Sequence, residues 1–283
     1  MNTYFNCHAH TMYSNLRLLD SINRPEALIK TSKELGLSGL AITDHEALCA
    51  HMTVNKLAKA MRETDPDFTI ALGNEIYLTE TREPKQKYYH FILIAKDNDG
   101  YTQLKKLSSL AWTNIYEYGR LERVPTLKED LKRIIKENPG HVIATSACIG
   151  GELSSNALLM AKARAVGDNQ NAKIYYDNIN NFLNYCLDIF GSDFYIECAP
   201  STDEEQILVN QTLYKISKAL GIPMVIGTDA HYLRPEDRPI HRAYLTSKDG
   251  DRETDKFYQY TYVMSPDEVK ELMLKSIEDE AVI

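Results

Sequence analysis

Apolar positions along this chain fall into short dense runs separated by longer amphipathic stretches, and the two patterns alternate through most of its length. Runs rich in Val, Ile, Leu, Phe and Tyr predict β-strands near 3–9, 39–45, 68–77, 89–95, 141–148, 194–199 and 223–230. Between them, apolar residues at helical spacing predict helices over 25–35, 47–63, 100–118, 127–138, 153–166, 171–190 and 203–220. A strand-helix rhythm of this kind predicts an α/β fold with a parallel sheet and, at this length, a closed or nearly closed barrel. Leu35-Gly36-Leu37 leads into one strand and Leu220-Gly221-Ile222 into another. In both, a helix stops at Gly and the strand that follows ends in Thr-Asp and then His. From Ser265 the pattern predicts a last helix with a capping box, Ser265 as N-cap, Pro266 at the first helical position and Glu268 reaching back. The stretch 246–256, SKDGDRETDKF, reads as a polar surface loop.

The polar residues sit where these strands end. His8-Ala9-His10, Thr43-Asp44-His45 and Thr228-Asp229-Ala230-His231 follow three of them, Glu75 lies in the third, His90 opens the fourth and Cys148 closes the fifth. In a parallel barrel the carboxyl ends of the strands open onto one face, so residues distant in sequence converge there. These are the side chains that bind divalent metals, and five of the eight histidines belong to the set. His8 and His10 are two apart on a strand, so their rings point to the same side and can share one ion. Asp229 reads as a ligand, and Asp44 as an acid that orients a ligand through a hydrogen bond. Glu75 is flanked by apolar residues; ionising it alone in such surroundings is costly, and a metal relieves that cost. By pattern alone, His90 reads equally as a core histidine, Cys148 as a small buried hydrophobe, Asp20 as a cap or surface acid, and Glu197 as a salt-bridged or supporting acid. His51, His141 and His241 carry no pattern, which makes core or solvent roles their default.

Composition narrows the class. The chain has 283 residues, 43% hydrophobic and 25% charged, as an ordinary globular enzyme does. Its net charge of −8 excludes a protein that grips nucleic acid through a broad basic surface, although cations in a pocket could supply positive charge locally. There is no apolar run of membrane-spanning length, and MNTYFNCHAH lacks the basic start and apolar core of a signal peptide, so the expectation is a cytoplasmic protein with no membrane partner. Five cysteines without CxxC spacing point to reduced thiols rather than a disulfide framework or zinc ribbon. GxGxxG, Walker A and GxSxG motifs are absent, so nucleotide-cradling and serine-hydrolase chemistry lack support.

The stretches HAHTMYSNLRLLDSI, ELGLSGLAITDH, GNEIYL, YYHFILIAKDNDGYTQLKKLSSLA, TSACIGGEL and GIPMVIGTDAHYLRPED together span most of the chain. In them it resembles the PHP (polymerase and histidinol phosphatase) superfamily, in particular the branch found at the amino terminus of bacterial DNA polymerase III alpha subunits. The resemblance implies a distorted seven-stranded (β/α)7, TIM-like barrel, with residues 1–283 forming one metallo-phosphoesterase domain, the amino-terminal module of a longer polymerase chain. It also implies a site for two or three divalent ions, zinc, manganese or iron. His8, His10, Glu75 and Asp229 would hold the first, with Glu75 bridging to a second held with His90 and Cys148; Asp20, His45 and His231 would hold the third. Cys148 stands where other branches have His, and a thiolate favours zinc or iron over magnesium. Glu46 stands where Gly is commoner.

The activity implied is metal-dependent hydrolysis of phosphate esters, specifically a 3′–5′ exonuclease that serves proofreading in DNA replication, with His8, His10, Glu75, Asp229 and His231 as its catalytic residues. Expected partners are a single-stranded DNA 3′ end, the polymerase core and replication proteins. Two alternatives accompany this reading: a small-molecule phosphomonoesterase of histidinol-phosphatase type, and a non-catalytic structural module. Arg120 and Arg123 read as surface arginines within reach of a substrate phosphate. Tyr4, Tyr13, Tyr77 and Tyr232 lie near the expected site, where a terminal base could stack.

Overall fold

Seven strands form a ring in a computed structural model that describes residues 4–16, 19–83, 86–118, 121–247 and 256–279. They are β1 (Phe5–Asn6), β2 (Gly39–Ile42), β3 (Thr69–Thr79), β4 (Tyr89–Ala95), β5 (Val142–Thr145), β6 (Phe194–Cys198) and β7 (Met224–Ile226). Each pairs with the next in chain order. The ring is closed by a parallel bridge from Ala9 to Ala230. Around this seam His10 N–H donates to Ala230 O (3.0 Å) and Asn6 Nδ2 to Thr228 Oγ1 (2.8 Å). β1 is shorter than its apolar run predicts because the backbone of residues 8–10 turns to pair with the Ala230 turn.

One expectation needs correction. The sheet is not parallel throughout, since β4 runs antiparallel to both neighbours, pairing Glu75 with Ile92 on one side and Ile92 with Thr145 on the other. Among the described residues between β3 and β4 there is no helix, and a strand that returns without a crossover must run back against its predecessor. The reversal puts the beginning of β4, and with it His90, beside Tyr77 at the end of the ring where the other strands finish.

Helices α1 (Pro25–Glu34), α2 (His51–Thr64), α3 (Asn98–Thr113), α4 (Lys128–Glu137), α5 (Glu152–Ala165), α6 (Asn169–Phe190) and α7 (Glu204–Leu220) fill the predicted gaps. They start and stop for local reasons. Asp97 accepts from Asp99 N and Gly100 N, Asp203 accepts from Glu205 N and Gln206 N, and Gly221 ends α7 at φ 67°. The helix predicted to reach 118 stops at Thr113, and Tyr116–Tyr118 pairs instead with Leu121–Arg123, as the alternating aromatic residues favour. A short strand, Pro125–Leu127, extends the outer end of β3. Beyond the ring lie α8 (Arg238–Thr246), which the apolar pattern did not reveal, and α9 (Pro266–Leu274). The capping box of α9 forms as expected, with Glu268 N donating to Ser265 Oγ at 3.3 Å and Ser265 N to Glu268 Oε2 at 2.9 Å. Most of the polar stretch 246–256 lies outside the described residues.

Side chains alternate across the ring wall. On β4, Phe91 and Leu93 face outward into the large core shared with Phe182, Phe194 and Leu153, while Ile92 and Ile94 meet Cys7, Ala41 and Ala147 inside. Each fully buried side chain of this size contributes about 1.5–3 kcal/mol. Among the described residues no helix is long and apolar enough to cross a membrane.

Candidate metal centre

Above the apolar interior layer the ring holds polar side chains instead. His8 and His10 follow β1, His45 follows β2, Glu75 lies in β3, His90 in β4, Glu197 in β6, Cys148 follows β5, and Asp229 and His231 follow β7; Asp20 arrives from the link between β1 and α1. All nine residues expected at the site converge. The turns that deliver them are strained: Glu46, Ala147 and Asp229 have φ of 44°, 59° and 49°, and all three follow ring strands. Positive φ costs a side-chain-bearing residue energy and persists where surrounding structure holds it.

Glu75 is the hub. Its Oε1 lies 2.9 Å from His90 Nδ1 and 3.4 Å from His8 Nε2; its Oε2 lies 2.6 Å from His45 Nδ1 and 3.4 Å from His10 Nε2. Asp229 Oδ1 lies 3.1 Å from His8 Nε2, 3.0 Å from His10 Nε2 and 3.5 Å from His231 Nδ1. Asp20 Oδ2 sits between His45 Nε2 (2.6 Å) and His231 Nε2 (2.9 Å). Cys148 Sγ approaches His90 Nδ1 at 3.7 Å. Among the described residues three groups have ligand atoms within 4.8 Å of one another: His8, His10 and Glu75; His45, Glu75 and His90; and His10, His45 and His231.

Hydrogen bonds on the far side of the rings fix which nitrogen faces the centre. His8 Nδ1 pairs with Glu197 Oε1 at 2.6 Å, and the Thr145 hydroxyl donates to the other oxygen of that carboxylate. A side chain on Gly227 would place its Cβ 2.4 Å from Glu197 Oε1 and 2.8 Å from His8 Cβ, so only glycine leaves room for this pair. His10 Nδ1 meets Ser14 Oγ at 3.1 Å. The single Ser14 proton goes to Asp44 Oδ1 (2.8 Å), so His10 Nδ1 is the donor and its Nε2 presents a lone pair. Asp44 also accepts from Thr11 N (2.6 Å) and Thr11 Oγ1 (2.7 Å), which matches the orienting role expected of it. His231 Nδ1 lies 2.6 Å from the carbonyl of Asp229.

The electrostatics are those of a crowded site. Burial opposes charging His8, but Asp229, Glu197 and Glu75 overcome it and raise its pKa well above the usual value. Burial, then His45 and His231, pull His10 down to about 3. Burial would raise Glu75, yet His90, His45 and His8 hold it well below the carboxylate range; His231 and His45 do the same for Asp20. Burial, Asp229 and Glu75 push the Cys148 thiol well up.

This arrangement fits bound cations. Both Glu75 oxygens and Asp229 Oδ1 are buried without an aligned hydrogen-bond donor, although imidazole nitrogens approach them to 2.6–3.5 Å. His8 Nε2 and His10 Nε2 face each other at 3.0 Å. Buried carboxylate oxygens without aligned donors are costly unless something positive lies beside them, and imidazole, carboxylate and sulfur donors together suit zinc, manganese or iron.

Supporting residues that sequence reasoning missed come from outside the ring. Tyr258 donates to Asp20 Oδ1 at 2.6 Å, and His241 Nε2 meets the Asp20 carbonyl at 2.6 Å, which explains the burial of a histidine without a motif. Tyr77 stacks on His45 with ring centroids 5.7 Å apart. Two other tyrosines expected near a substrate are committed elsewhere: Tyr4 Oη bonds to Ile226 O, and buried Tyr232 donates to Tyr258 O. Tyr13 is partly buried against the core beside β2. Arg123 lies over the Tyr88 ring, and Arg120 falls outside the described residues. His141 pairs with Asp97 at 2.7 Å, and all five cysteines are free thiols. A cavity of about 300 Å³ adjoins the centre through Cys148, Thr228 and Asp229.

The family model described as PHP domain matches residues 6–201. A DNA-directed DNA polymerase of Bacillus phage SPbeta is 42% identical over 291 residues, which cover 98% of this chain and 22% of that protein. The DNA polymerase III alpha subunit of Thermus aquaticus is 31% identical over 290 residues, covering 94% of this chain and 21% of that one. That of Borreliella burgdorferi is 29% identical over 260 residues, covering 89% and 20%. The chain spans about a fifth of the length of the relatives it matches.

Proposed function

The chain belongs to the PHP domain family, and we propose that it is a metal-dependent phosphoesterase with 3′–5′ exonuclease activity on single-stranded DNA, acting as the PHP module of a replicative polymerase. The observation that carries this reading is the clustering of nine ligand-type side chains, in which five histidines crowd Glu75 and Asp229, carboxylates with oxygens that lack aligned donors. The proposed ion sites are His8, His10, Glu75 and Asp229; Glu75, His90 and Cys148; and Asp20, His45 and His231. Divalent ions held there would supply acidified water and neutralise charge on phosphate oxygens.

The remaining work falls to the chain itself. Glu197 aims His8, Ser14 with Asp44 aims His10, and Tyr258 with His241 holds Asp20, so the donors keep their orientation without reorganising. The DNA part of the reading leans on relatives that are DNA polymerases. It also fits a chain of net charge −8, in which phosphate recognition would belong to the centre rather than to a basic surface. The small adjoining cavity favours a second reading, a phosphomonoesterase of histidinol-phosphatase type.

The test incubates metal-loaded protein with 3′-end-labelled single-stranded DNA and, separately, with a small phosphate ester, beside His8→Ala. Release of labelled nucleotide by the native chain and its loss in the variant are expected. Cleavage of the small ester alone would favour the second reading, and cleavage of neither would leave a structural module.

A further inference from the structure

The cavity beside the metal centre has walls that the hydrolytic reading does not use. Cys148, Thr228 and Asp229 line it on behalf of the centre, and Phe257, Tyr260 and Lys256 line it too. Phe257 is 41% exposed, although its ring lies edge-on to Tyr258 with centroids 4.8 Å apart. Tyr258 in turn donates to Asp20 in the centre, and the Tyr260 hydroxyl bonds Thr202 on the link before α7. One short segment, Phe257–Tyr260, is therefore tied at one point to the metal centre and at another across the cavity. Exposed Phe257 and half-buried Tyr260 line the same cavity as Asp229.

The other two acids at this cavity, besides Asp229, are already engaged. Asp203 caps α7 through Glu205 N and Gln206 N, and Glu205 is paired with Lys162 at 2.5 Å. They leave an aromatic, largely apolar slot whose inner end is polar. A volume of about 300 Å³ is at the small end for ligand sites, enough for one base with its sugar and too small for a duplex.

We infer that this cavity is a nucleoside subsite, in which the base of the terminal nucleotide stacks on Phe257 and Tyr260 while its phosphate ester reaches Asp229. The inference rests on the phosphoesterase reading for the phosphate end and adds the group recognised beside it. Aromatic stacking accepts any base, so the subsite selects for a nucleoside over a bare sugar without reading sequence. It also limits the site to a frayed or single-stranded end, because a paired base cannot enter.

The test measures equilibrium binding of deoxyadenosine monophosphate, deoxyribose 5-phosphate and inorganic phosphate to the metal-loaded chain, its Phe257→Ala and Tyr260→Leu variants, and a Lys173→Ala control on the surface of α6, away from the cavity. Thermal melting of each protein checks that it folds. The native chain is expected to bind the nucleotide at least about ten-fold more tightly than deoxyribose 5-phosphate, and either aromatic substitution to shrink that ratio several-fold. Equal affinity for the nucleotide and the sugar phosphate, or a ratio unchanged in both aromatic variants, would overturn the subsite and leave the phosphoesterase reading intact. Failure of all three probes to bind would count against both.

Discussion

Ile92 and His90 stand two residues apart on β4, on the same side of the strand, yet they belong to layers held by opposite means. The layer of Ile92, with Cys7, Ala41, Ile94 and Ala147, is complete in itself: small and branched apolar side chains fill the ring and expose no unpaired polar atom. The layer of His90 is incomplete. It crowds five histidines, two further carboxylates and a thiol together with Glu75 and leaves buried oxygens without aligned donors. The same backbone thus builds one layer that needs nothing and one that calls for cations, and the difference lies only in which side chains the strands deliver.

The comparison breaks most severely if a charge enters the wrong layer. Ile92→Asp places a carboxylate where no donor or cation can meet it, and is expected to cost on the order of 5 kcal/mol or to prevent folding, read by denaturant melts. Wild-type stability in that layer should be indifferent to metals. Stripping ions with a chelator should act only on the upper layer, lowering stability by about 3–4 kcal/mol if the ions are normally present at 100–1,000 times their Kd. A melting midpoint unmoved by chelation would erase the distinction between the layers.

Smaller effects sharpen it. Ser14→Ala leaves His10 free to present the wrong tautomer, so metal affinity should fall about 10- to 100-fold, while the ion-free chain loses about 1–3 kcal/mol because buried Asp44 and His45 N each lose a partner. Competition with a chromophoric chelator measures this directly. The gentlest contrast uses His51, buried at the start of α2 away from the acids, where burial lowers its pKa to about 4. Its folded pKa lies below its unfolded value near 6.5, so the unfolded chain binds the extra proton, and stability should decline as pH falls from about 6.5 to 4. His51→Leu should remove that part of the acid sensitivity, seen as a flatter profile than wild type in paired melts.

The two layers also differed in how far they could be read from the chain. The ring strands and their helices were legible because apolar period-2 and helical patterns record burial directly, as Phe91 to Ile94 illustrate. His8, His10, His45 and His231 were legible because they follow apolar runs in pairs or beside acids. His90 and Cys148 carried no local sign of convergence, since on pattern they are a core histidine and a small hydrophobe; only family resemblance singled them out. The antiparallel course of β4 follows from a missing crossover helix, a gap that the strand count passes over. Ser14, Tyr258 and His241 act through single hydrogen bonds to the residues of the centre, and a lone hydroxyl or ring in a loop has no periodicity to betray it.

The most direct test of the central claim, that the polar layer is a metal centre, is the metal content of the chain by elemental analysis after equilibration with zinc or manganese and removal of free ions. Wild type should retain more than one equivalent per chain, and Glu75→Ala, which removes a carboxylate within 3.4 Å of four of the rings, should lose most of it while still folding. Equal metal content in the two proteins, or none in either, would contradict the account.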